Sequence, residues 1–71
     1  MLGRQPGKLL DIHAVLIHGA KFYDLTFALD ASPTRARKSR LGAESVYENP
    51  MPGDEVTLHM VLGQVTQVES R

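Results

Sequence analysis

The 71-residue chain has no cysteine and no tryptophan. Without cysteine, neither a disulfide framework nor a thiolate metal site can supplement a small core, and the composition fits a reducing compartment. Neither charge is in excess: eight Lys and Arg balance eight Asp and Glu, so no strongly basic or acidic character points to a partner. No apolar run approaches the roughly 20 residues of a membrane span, and no membrane partner is expected. Met1-Leu2-Gly3-Arg4-Gln5-Pro6-Gly7-Lys8 lacks a long apolar stretch ahead of a small-residue cleavage site. No secretory leader is therefore expected, and the expected location is cytoplasmic. Aromatic residues are few, two Tyr and two Phe. Gly-rich phosphate loops, internal repeats and low-complexity tracts are missing too.

What is present is alternation. From Leu9 to His18, Leu10, Ile12, Ala14 and Leu16 share one uniformly apolar face, expected to point inward. Leu9, Asp11, His13, Val15 and Ile17 share the other. After a Gly19-Ala20-Lys21 turn, Tyr23, Leu25, Phe27 and Leu29 point in while Asp24, Thr26, Ala28 and Asp30 point out. These two strands form an antiparallel hairpin. Residues 1–7 carry Gly, Pro and charge without periodicity and read as a flexible N-terminal arm, leaving residues 8–71 as one small domain. A chain this short buries roughly 60% of its unfolded surface, so association between copies is the expected supplement.

Ala31-Ser32-Pro33-Thr34 is a loop by composition. Residues 35–47 admit a polar third strand throughout, or a strand over 35–41 followed by a helical turn that Asn49-Pro50 would end by Glu48. The second reading is preferred. Met51-Pro52-Gly53-Asp54 turns the chain into a strand with Val56, Leu58, Met60 and Leu62 inward. Beyond the Gly63-Gln64 corner, Val65 and Val68 cannot share one face of a regular strand, which predicts a bulge or strong twist. The fold class is all-β: a small four- or five-stranded antiparallel barrel or curled sheet, with room for one short helical turn near residues 42–48.

The run Pro52-Gly53-Asp54-Glu55-Val56, followed by Gly63, Val65 and Val68, resembles the close of SH3-like and OB-like small barrels. It also resembles uncharacterised bacterial β domains that pair a Gly-Lys/Arg start with a late Pro-Gly-Asp. The likeness covers about a third of the chain and implies an architecture, on which nucleic acids, peptides and carbohydrates are bound.

Charge is unevenly spread. Residues 1–40 hold seven Lys and Arg against three Asp and Glu, giving +4, and residues 41–71 hold one against five, giving −4. Part of this polarity could be internal complementarity. The densest cluster is Arg35, Arg37, Lys38 and Arg40. It reads as a solvated segment pairing with Glu44, Glu48, Asp54 or Glu55, as a phosphate or nucleic-acid contact, or as a site for an acidic protein. A neutral chain with few free aromatics is a poor footprint for nucleic acid.

His13, His18 and His59 include no close pair at ligand spacing, so no metal site and no cofactor are expected. The serines lack a nucleophile-elbow context, and Asp54 and Glu55, being adjacent, point to opposite faces. No enzyme is expected. Five apolar residues fall on the wrong side of their strands: Leu9, Val15, Ile17, Phe22 and Val61. Such a patch commonly marks an interface, and an open small barrel leaves a strand edge to pair. The function expected is a non-enzymatic binding module that self-associates, or binds a protein partner, through strand one. The alternative is a nucleic-acid-binding barrel led by the basic segment 35–40.

Overall fold

Period-two alternation produces five strands, and residues that accept a left-handed backbone turn them back on one another. The fold is that of a computed structural model describing residues 2–71. The strands are β1 (Leu2–Ile17), β2 (Ala20–Leu29), β3 (Arg37–Gly42), β4 (Glu55–Val61) and β5 (Gln64–Ser70), with one 3-10 turn, Ala43–Ser45, after β3. They form one sheet in the order β3-β2-β1-β4-β5, every ladder antiparallel. The ladder does not close between β3 and β5, so the chain makes the open, curled alternative rather than a barrel. β3 ends after six residues, and an isolated parallel bridge joins Val46, after β3, to Val68 of β5.

β1 serves as two strands in series. Its first part, residues 2–8, pairs with β4, and residues 7–17 pair with β2. The arm expected over residues 1–7 is therefore corrected: residues 2–7 are paired strand, and Met1 lies outside the described residues. Pro6, a residue that reads as a strand breaker, lies within β1. Its oxygen accepts from the Asp30 N–H at 3.0 Å, just beyond the end of β2, and its ring nitrogen faces the same side, so at this end of the ladder proline forgoes only the reciprocal bond.

The register with β2 slips between Leu9 and Asp11. This bulge reverses parity within β1. Gly7 and Leu9 point in at odd positions and Ile12 at an even one, while Leu10 is turned out. Leu9, expected on the outer face, is thus wholly buried. Beyond the bulge the even row faces inward as expected, but it outruns the core. Ile12 packs against the core, Ala14 is exposed, and Leu16 is 76% exposed. The overhanging hairpin helps give the molecule its 35 × 24 × 19 Å extents.

Leu9, Leu25, Phe27, Val56, Leu58, Met60, Val65 and Val68 form the core, with Tyr23, Leu29, Leu41, Val46 and Tyr47 packed around it. No polar side chain is buried among the described residues. Full burial of each large apolar side chain is worth about 1.5–3 kcal/mol. Leu62 does not join them: with Gly63 it makes a two-residue turn at φ 51° and 80° and is 81% exposed. The same geometry joins β1 to β2 through His18 and Gly19, φ 49° and 79°. Both match the turn whose twist suits a right-twisted hairpin. In β5, Gln67 pairs with His59 and Val65 with Met60, so Thr66 is the extra residue of the expected bulge and both valines reach the core.

Candidate functional site

A two-residue hairpin loop makes its flanking residues a hydrogen-bonded pair. Ile17 and Ala20 flank His18 and Gly19, so Val15–Phe22, His13–Asp24 and Asp11–Thr26 are hydrogen-bonded pairs in the same ladder. The backbone groups of Ile12, Ala14 and Leu16 must then point the other way. Among the described residues no strand lies there: β4 pairs with β1 over residues 2–8, and the last backbone bonds on that side join Leu9 to Asp54 and Gly53 at 2.9 and 2.7 Å. The Ile12 N–H is taken by the Asp11 carboxylate at 2.9 Å. Among the described residues, the Ala14 and Leu16 backbone groups on this edge have no partner. These edge positions are not legible in the sequence, where Gly19-Ala20-Lys21 reads as the turn; the chain turns one residue earlier, at His18-Gly19.

The outer face of the same hairpin divides into two halves. Val15 stands opposite Phe22, with Ile17 opposite Ala20 next along. Val15, Ile17 and Phe22 are each half-buried, and the ladder brings these three of the five expected interface residues together. The other two lie elsewhere. Leu9 is in the core, and Val61, although exposed, pairs with Leu2 at the opposite end of β1. Toward the bulge the face turns polar, with rows Asp11, Thr26, Lys38 and His13, Asp24, Arg40 crossing three strands. These residues line a shallow hollow of about 540 Å³.

The basic segment does not act as one patch. β3 sends Arg37 inward and Lys38 and Arg40 to opposite fates. Arg40 grips Asp24 with two hydrogen bonds, 2.6 and 3.0 Å. That contact holds the Asp24 carboxyl below its usual range and raises Arg40. Arg37 lies over the Phe27 ring at 5.9 Å and donates to the Gly63 carbonyl at 2.6 Å, tying β3 to the β4–β5 turn. Arg35 and Lys38 have no ion-pair partner among the described residues. The acids expected as partners for this segment (Glu44, Glu48, Asp54 and Glu55) do not meet it within ion-pair distance there. The polarity between the two halves of the chain therefore stays largely at the surface. The cation of the acidic half, Arg71, pairs with Asp30 and Glu55.

The three histidines stay apart. His13 bonds Asp11 at 3.1 Å, His18 forms the turn, and His59 pairs with Glu69 across β4 and β5. No group of three His, Asp or Glu could hold a metal ion among the described residues. Asp54 serves the fold: its carboxylate accepts from the Tyr47 hydroxyl at 2.6 Å and the Met51 N–H at 3.0 Å. Burial first, and this carboxylate second, push the Tyr47 hydroxyl's pKa up. No helix is long and apolar enough to cross a membrane among the described residues.

The arrangement combines unpaired backbone donors and acceptors with apolar side chains on both flanks of one strand, which is the chemistry of strand addition. Compared with protein-family models, curated proteins and solved structures, the chain matches none.

Proposed function

We propose that the chain is a non-enzymatic binding module that self-associates by pairing the free edge of β1 with the same edge of a second copy. The observation that carries this reading is the outer edge of β1 beyond Leu9, where the Ala14 and Leu16 backbone groups have no partner among the described residues, flanked by Val15, Ile17 and Phe22 on one face and Leu16 on the other. The edge is self-complementary. Antiparallel pairing about a two-fold axis at Ala14 makes Ala14 meet its own copy in a hydrogen-bonded pair and sets Ile12 opposite Leu16 of the second copy. The exposed Leu16 then gains an apolar neighbour. Asp11 must release the Ile12 N–H for the ladder to run its full length.

Ala14→Pro tests this directly. The Ala14 N–H faces the free edge, so proline there removes an intermolecular donor without breaking a β1–β2 bond. Light scattering after size exclusion is expected to give a dimer or higher oligomer for the native chain and a folded monomer for the variant. A native chain that stays monomeric at high concentration overturns the reading.

A second reading has its own support. A first strand shared between β2 and β4, in a partly open five-stranded sheet, is the arrangement of OB-like barrels, whose β2–β3 face takes oligonucleotides. Lys38 stands free on that face with Arg40 and Phe22. Fluorescence anisotropy of a labelled oligothymidylate, read against salt, is then expected to weaken with a slope near the number of phosphates contacted. Unchanged affinity after replacing Arg35, Arg37, Lys38 and Arg40 with glutamine removes this reading.

A further inference from the structure

The four cations of segment 35–40 differ most in what surrounds them, and one pair has surroundings of a single sign. Arg35 closes the turn after β2, its N–H donating to the Ser32 carbonyl at 3.1 Å, and Arg37 opens β3 two residues on. Both line a hollow of about 310 Å³, whose other walls are Leu29 and Ser32. No carboxylate lines it. The acid beside it in the chain, Asp30, is held by Arg71 at 3.3 Å. Arg37 is also positioned in advance, because the Gly63 carbonyl and the Phe27 ring fix its guanidinium, so little side-chain freedom remains to be lost on binding. On the other side of Arg37 a second hollow of about 200 Å³ runs between β3 and β5, lined by Lys38, Ser39, Gly63 and Gln64 among others, again without a carboxylate.

We propose that Arg35 and Arg37, with the Ser32 hydroxyl, form a site for a phosphoryl group where the loop after β2 enters β3. Two guanidiniums match a phosphate that carries up to two charges, and each can present two parallel N–H donors to its oxygens. Ser32 adds a hydroxyl with no hydrogen-bond partner among the described residues. Arg40 is outside this site, because Asp24 neutralises it on the other face. The inference does not depend on self-association, since the hollow lies on β3 and its preceding loop, away from the free edge of β1. The phosphoryl group could belong to a free phosphate compound or to a nucleic-acid strand, and the test separates the two.

Amide chemical shifts of the 15N-labelled chain are followed during titration with inorganic phosphate, pyrophosphate and oligothymidylate, for the native chain and for Arg35→Gln. Arg35 is exposed and unpaired among the described residues, so its replacement is expected to leave the thermal midpoint unchanged. Saturable shifts at residues 32–37 are expected. Affinity should fall about tenfold or more in Arg35→Gln, the loss of one charged hydrogen-bonding group. Tighter saturation by oligothymidylate than by pyrophosphate assigns the site to a phosphodiester chain, and the reverse order assigns it to a free phosphate compound. The proposal is overturned if none of the three probes gives saturable shifts at residues 32–37, or if Arg35→Gln responds as the native chain does.

Discussion

At Gly7 the backbone of a neighbouring strand leaves no room for a side chain. A β-carbon there would stand 2.7 Å from the Ala28 carbonyl oxygen and 2.7 Å from Leu58 Cδ1. The leucine can rotate, but the carbonyl belongs to the β1–β2 ladder and cannot yield without moving a strand. Gly7→Ala is therefore expected to cost about 1–3 kcal/mol, the usual penalty for overpacking. For a chain of this size each kcal/mol lowers the thermal midpoint by roughly 4–8 °C. An unchanged midpoint in a thermal melt would show that the strands separate easily at this crossing. In the sequence Gly7 reads as part of a loose arm, because a glycine required by close approach and one placed in a flexible segment look alike. Arg37 shows the same ambiguity from the polar side. Its type and its place in a basic run suggested a solvated or ligand-facing cation, and only its contact with Phe27 and Gly63 reveals a side chain that also ties two elements together.

At the scale of elements, the two hairpin turns use the same backbone and different chemistry. His18-Gly19 and Leu62-Gly63 each place two residues at positive φ. Glycine accepts this freely, but an ordinary side chain in the left-handed region costs about 1–2 kcal/mol, and nothing in the structure explains why a leucine occupies the first position. Leu62→Asn supplies the residue this turn prefers, and is expected to stabilise the chain by about 1 kcal/mol in urea denaturation. A loss of stability would mean that the Leu62 side chain works as a contact. The alternation in residues 23–29 and 56–60 was legible because each element has one regular period. So was the bulge in β5, since two valines three apart cannot share a face of an even strand. The bulge in β1 was not legible. Leu9 and Leu10 are both leucine, and either parity gives an apolar row.

For the whole molecule, the decisive feature is that β1 is longer than its neighbours. β4 covers only its first half on one side, and the second half projects beyond the core with an edge that meets no strand. Open small sheets of this kind gain stability from whatever covers the edge. If a second copy does so, dissociation is coupled to unfolding, and the thermal midpoint rises with protein concentration. That rise is expected for the native chain and not for Ala14→Pro. Equal midpoints across a hundredfold range of concentration would count against pairing. The charge asymmetry between the two halves of the chain also acts at this scale. Because the basic segment does not meet the acids of residues 41–71 within ion-pair distance among the described residues, folding does not cancel the asymmetry pairwise.

The sequence alone determined the all-β class, the first hairpin, the inward residues Tyr23, Leu25, Phe27, Leu29, Val56, Leu58 and Met60 and the irregularity of β5, although Ala28, expected outward, is buried and Leu62, expected inward, is exposed. Each follows from which residues recur every second position, a property of a few neighbouring side chains. Tertiary structure decided which side of β1 points inward near Leu9, where the free edge lies, and which of the four clustered cations remain available. Those outcomes depend on where another strand begins and ends, and no local pattern along β1 or β3 carries that information.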